Sequence, residues 1–125
     1  MALIYHTQLL TSFFDKFVEL LSKDGENRVV LYNGNNESLV TCPLSNQDIV
    51  LNRTDTTLQL VASSSAIATL DGTATKGAIL NGDGVKLVEF DVGSQMINPL
   101  AELILNSVVI YKGGTVTINS ITLTV

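Results

Sequence analysis

The hydrophobic period of this chain changes near residue 28, and that change restricts the fold more than any other feature. Between residues 7 and 23 the apolar side chains recur with the period of a helix. On a wheel of about 100° per residue, Leu9, Leu10, Phe13, Phe14, Phe17, Val18, Leu20 and Leu21 share one half. Gln8, Thr11, Ser12, Asp15, Lys16, Glu19, Ser22 and Lys23 fill the other half. Thr7 suits the N-cap, because its hydroxyl can accept a bond from an orphaned first-turn N–H. Asp24-Gly25 supplies a left-handed stop, so the pattern predicts one amphipathic helix over residues 7–24.

Beyond it the apolar positions follow the two-residue period of strands, as short runs separated by turn residues. Arg28–Tyr32 and Ser38–Cys42 flank Asn33-Gly34-Asn35-Asn36, which predicts a hairpin. Asp48–Leu51, Leu58–Ala62 and Ala66–Leu70 are further short candidates, with Asn52–Thr57 as a loop. Ala74–Leu80 and Val85–Val92 flank Asn81-Gly82-Asp83-Gly84 and predict a second hairpin. Leu105–Tyr111 is expected to pair with the last strand through Lys112-Gly113-Gly114-Thr115. Leu100–Leu105 reads as a helical turn or a covered strand.

Two slips in the alternation carry information. Val85 and Leu87 lie on the opposite phase from Val88, Phe90 and Val92. Likewise Val116 and Ile118 are out of phase with Ile121, Leu123 and Val125. An extra residue in one strand of a pair has this signature, so bulges are expected near Leu87-Val88 and Asn119-Ser120. The sum is a mainly β fold: an antiparallel β-sandwich or jelly-roll-like domain over 28–125, led by one helix. Strands do not alternate with helices, which argues against a parallel α/β sheet.

At 125 residues the chain is one domain, 1–125, able to bury roughly two-thirds of the surface its unfolded form exposes. Its single cysteine, Cys42, excludes an internal disulfide and sits in an apolar run, where a buried thiol is expected. Twelve acids against seven scattered bases give a net charge of −5, which disfavours binding to a phosphate backbone. With 15% charged residues, against roughly 25% in ordinary domains, and a mean hydropathy of +0.34, the chain is apolar. No apolar stretch approaches the ~20 residues that span a bilayer, and no basic leader precedes an apolar run. A non-secreted chain with no membrane partner is expected, its apolar excess covered by self-association or by docking on a larger assembly.

Chemistry-bearing patterns are sparse. His6, the one histidine, has no partner nearby in sequence. Asn81-Gly82-Asp83-Gly84 lacks the spaced acids and terminal glutamate of a calcium loop. The glycines at 72, 77, 82 and 84 fit neither phosphate-binding spacing, and Ser63-Ser64-Ser65 has no nucleophile elbow around it. Asn36-Glu37-Ser38 and Asn52-Arg53-Thr54 match a glycosylation acceptor without a secretion signal to give it meaning. Neither an enzyme nor a bound cofactor or metal is expected.

The second half has a further property. Ala-Thr-Leu-Asp-Gly-Thr-Ala-Thr at 68–75, the turn at 81–84, Phe90-Asp91-Val92-Gly93 and the run from Gly113 to Leu123 together resemble small virion structural proteins of tailed bacteriophages. The resemblance covers residues 63–125. It departs at Ile79–Leu80 and around Met96 to Glu102, and the N-terminal helix is not part of it. It implies a virion component assembled in the host cytoplasm: a capsid decoration or cement protein that stabilises the head shell as a homo-oligomer, a trimer being expected. The major capsid protein or other virion subunits would be its partners. A tail, baseplate or fibre-attachment module is the alternative, and a small carbohydrate- or receptor-binding domain a further one. Candidate interaction residues are Leu10, Phe13, Phe14, Phe17 and Leu21 on the helix stripe, which either covers the β-structure or packs against other subunits.

Overall fold

The computed structural model describes residues 15–17, 19, 27–44, 50–53 and 57–124. Asp15–Phe17 and Glu19 are helical, with Asp15, Lys16 and Glu19 exposed and Phe17 buried among the core side chains. That is the division the wheel predicts; the rest of the 7–24 helix lies outside the described residues.

Ten strands follow. The first two, β1 (Asn27–Tyr32) and β2 (Ser38–Leu44), form the expected hairpin, and β3 (Val50–Arg53) precedes the long β4 (Thr57–Ile67). Then come β5 (Gly72–Thr73), β6 (Lys76–Leu80) and β7 (Lys86–Gly93). Short β8 (Leu103–Ile104) and β9 (Val109–Ile110) lead to β10 (Thr115–Thr124). One sheet runs β2-β1-β6-β7-β8 and a second β10-β4-β3, while β5 and β9 form a small two-stranded ribbon. Among the described residues every pair is antiparallel except β7–β8.

The two larger sheets meet along both edges. On one side the Thr69 N–H donates to the Leu39 carbonyl (2.9 Å) and the Ser64 hydroxyl to the Pro43 carbonyl (2.5 Å), joining β2 to the β4 segment. On the other, the Thr122 N–H donates to the carbonyl of Glu102, the residue before β8 (3.0 Å). The wall is therefore a curled β-sandwich with hydrogen bonds across both seams, which lowers the cost of exposed strand edges. Inside, Leu31, Leu39 and Ile79 of one sheet face a core shared with Leu58, Ile118 and Ile121 of the other. Each such side chain contributes about 1.5–3 kcal/mol on burial. Cys42 lies fully buried in the same core.

Both bulges fall at the expected places. Ile79 pairs with Val88 and Leu80 with Lys86, which leaves Leu87 as the extra residue. Ile118 pairs with Ser64 but Ser120 with Val61, so Asn119 faces two residues of β4.

Three sequence expectations need correction. The run 58–62 and the first two residues of 66–70 belong to one strand, β4, because Ser64 and Ser65 between them are held in register opposite Ile118 and Thr117. The run 74–80 divides between an extended lead and β6. Residues 105–111 do not pair with β10. The Tyr111–Gly114 turn forms, with Gly114 N–H donating to Tyr111 C=O at 2.8 Å. Around that turn, however, Gly113 N–H donates to Ala68 C=O and Ala68 N–H to Gly114 C=O. The backbone of β10 is thus claimed by the β4 side, and β9 continues the same ladder by pairing with β5.

Candidate docking surface

The site begins where β7 ends. A Cβ on Gly93 would lie 2.1 Å from the Asn98 carbonyl oxygen and 2.7 Å from that of Ile97, so only glycine lets the chain fold back so closely. Ser94, itself buried, then closes a small ring. Its N–H donates to the Ile97 carbonyl (2.6 Å), and its hydroxyl accepts from the Ile97 N–H (3.1 Å). Asn98 takes the left-handed conformation at φ 51°, where asparagine is among the few tolerated side chains, and its carbonyl accepts from Ala101 N–H.

The far end of this loop is fastened as firmly. Glu102 accepts from the Asp91 N–H through its carboxylate (3.0 Å), and the Leu105 N–H donates back to the Gly93 carbonyl (2.8 Å). Residues 93–101 therefore form a knuckle whose backbone is set by its own hydrogen bonds and by the wall. Its tip is apolar: Met96 is 92% and Leu100 94% exposed, with Ile97 beside them also exposed.

Beside the knuckle lie two open hollows of about 260 and 230 Å³. The first is bordered by Met96 and Ile104, the second by Val109, Tyr111 and Val116; Leu105 and Asn106 line both. Ile104, Val109 and Tyr111 are all exposed, as is Ile67, the register partner of Thr115 at the second hollow's rim. No charged side chain lines either hollow. Glu102 and Lys112 are the only charged residues between 92 and 125, so the whole net charge of −5 belongs to the rest of the chain.

Elsewhere the polar groups serve the fold. Asn81, buried at the second hairpin turn, accepts from the N–H groups of Asp83 and Val85 (3.0 Å each), which explains the Asn-Gly-Asp-Gly run without an ion. On the outer sheet face Lys86 bonds Glu89 (2.6 Å) and lies 5.5 Å from the centre of the Tyr32 ring. That bond raises the lysine pKa and lowers the glutamate's, but both side chains are exposed and the pair is a solvated surface contact. Burial pushes the Cys42 thiol up to about 11, the state of a packing residue. Among the described residues no three His, Cys, Asp or Glu side chains gather as a metal set, and no helix is long and apolar enough to cross a membrane.

Of the five candidate interaction residues on the helix stripe, Phe17 is 5% exposed within the core; Leu10, Phe13, Phe14 and Leu21 lie outside the described residues. Among the described residues, an exposed apolar surface sits on Met96, Ile97 and Leu100, which the sequence patterns do not single out. A signal was present: Met96, Ile97 and Leu100 are apolar residues set among turn formers, Gly93-Ser94 before them and Asn98-Pro99 between. Compared with known proteins, the chain matches no family model, no curated protein and no solved structure.

Proposed function

We propose that this protein is a non-catalytic docking module of a bacteriophage virion, a decoration or cement protein that binds the head shell as a homo-oligomer. The observation that carries the docking reading is the knuckle at 93–101, whose backbone is fixed while Met96 and Leu100 stand almost wholly in solvent. A fixed loop loses little conformational freedom on binding, so more of the apolar gain appears as affinity. Large exposed apolar groups on an ordered support mark interaction surfaces more often than accidents of folding. The virion reading draws on the resemblance of residues 63–125 to phage structural proteins. A shell presents the same binding site many times, and an oligomer that engages several sites multiplies individually weak contacts.

The test is to add purified protein to undecorated head shells. Saturable binding at symmetry-related positions is expected, and its absence would overturn the proposal.

A further inference from the structure

We infer that the open edge of β10 at Thr115–Ile118 takes an extended, uncharged segment of another protein, added beside it as a strand. The inference goes beyond the docking reading and rests neither on the knuckle nor on the virion assignment.

Backbone geometry identifies the edge. Successive residues of an antiparallel pair bond alternately towards the neighbouring strand and away from it. Ala68 exchanges bonds with Gly113 and Gly114, so Ala66 and Ser64, at two-residue steps along β4, also turn towards β10. Their partners Val116 and Ile118 therefore bond β4, while Thr115 and Thr117 direct their N–H and C=O groups the other way. Among the described residues no strand pairs with that side, since β10 ends its sheet. Farther along, the same side is used where the Thr122 N–H donates to Glu102 (3.0 Å).

The neighbour that the chain itself could supply is held off. Thr115, Val116 and Thr117 line the hollow of about 230 Å³ together with Val109 and Tyr111. No residue of β4 lines it, so the hollow lies along the free side of β10. The nearby β9 pairs with β5. In addition, the N–H and C=O of Val109 are both bonded to the Ser107 hydroxyl (3.2 and 3.4 Å). Ser107 thus satisfies backbone groups that a hairpin with β10 would otherwise use. Into this hollow β10 brings backbone donors and acceptors, and β9 brings apolar side chains.

That combination selects the occupant. Free N–H and C=O groups at strand spacing are matched by another extended backbone, the chemistry of strand addition. Four residues at about 3.4 Å each cover the edge. The exposed carboxylate of Asp71, bonded by the Lys112 N–H (2.6 Å), stands at the turn end and disfavours an acidic segment. In a second copy the same edge is flanked by Val109 and Tyr111, 46% and 69% exposed, which hold two such edges apart.

The probe is a capped peptide with the sequence of residues 105–111, whose period suits it to pair with β10. Added to the isotope-labelled full chain up to about 1 mM, it should shift the amide signals of residues 115–118 saturably. Hydrogen exchange at Thr115 and Thr117 should slow by at least about tenfold. The same peptide N-methylated throughout keeps its side chains but lacks backbone donors, and it should not bind. Thr117→Pro should also abolish binding while the chain still folds, because proline is tolerated where its missing N–H faces away from the ladder. The N-methylated peptide keeps the test decisive if that variant fails to fold.

An absence of shifts at 115–118, or equal binding of the two peptides, would overturn the inference. So would exchange at Thr115 and Thr117 that slows with protein concentration alone, which would make a second copy the occupant.

Discussion

The connection after β6 and the connection after β7 are built by the same device and finished in opposite ways. At residues 81–85 the Asn81 side chain, buried beneath the turn, accepts two backbone N–H groups, and Gly84 supplies the left-handed residue at φ 81°. At residues 93–101 the Ser94 side chain accepts from Ile97, and Asn98 supplies the left-handed residue. In each case a buried polar side chain holds the backbone. The first turn exposes Asp83 and Gly84 at its apex, which water solvates readily, with Val85 53% exposed at its end, whereas the second exposes Met96 and Leu100 almost wholly. Closing a loop does not require apolar side chains at its apex. Their presence on the knuckle is therefore a property of the surface and not a by-product of the fold.

The strongest way to break this comparison is Gly93→Ala. The new methyl would meet two backbone carbonyl oxygens, which cannot swing aside as a side chain would. The variant should lose about 3 kcal/mol in chemical denaturation, or else release the knuckle and with it both self-association and shell binding. A variant with unchanged stability and unchanged binding would show that the close fold-back at Gly93 does not set the loop.

A second measurement asks whether the wall beneath both connections behaves as one unit. Cys42 holds its proton up to about pH 11 in the folded protein, against 9.0 for an unperturbed thiol. Between those values the unfolded chain gives up a proton that the folded chain keeps, so stability falls as pH rises from about 9 towards 11. The loss should be on the order of 2 kcal/mol and should be absent in Cys42→Ala. Urea titrations across that range check it. An alkaline limb of the same size in Cys42→Ala would assign the loss to other groups.

Much of this fold is legible in the sequence because the core imposes its period on it. Val88, Phe90 and Val92 alternate with Glu89 and Asp91, and the phase slips at Leu87 and Asn119 locate bulges that the register then shows. Pairing is less legible. Nothing local in Val108–Ile110 says that its partner is Gly72–Ala74 across the sandwich and not the strand that follows it. That choice depends on which backbone edges remain open once β4 has claimed β10. The candidate surface was harder still, since periodicity finds side chains that are buried. Met96 and Leu100 belong to no strand pattern, and their meaning appears only once the loop around them is seen to be fixed.

The polar turn gives the next smaller effect. Asn81→Ala leaves the N–H groups of Asp83 and Val85 without their acceptor, and water can reach the exposed side of the turn to replace part of what is lost. A cost of about 1–2 kcal/mol is expected in thermal or urea denaturation. Asn33 makes the same two-fold acceptance, from Asn35 and Glu37, at a more exposed turn. Asn33→Ala should therefore cost less than Asn81→Ala, and the reverse order would mean that burial does not set the value of this device.

The smallest effect on stability separates the two connections most sharply. Leu100→Ser removes a side chain that is 94% exposed, so folding gains almost nothing from it and the melting transition should shift by no more than about 0.5 kcal/mol. If the knuckle's apex belonged to the fold, as Asn81 does, the change would cost as much as a lost core contact, several times that figure. A near-neutral result, together with higher solubility or weaker association, means that an apolar group stands where folding does not use it. The tip of the 93–101 loop would then be answerable to a partner alone.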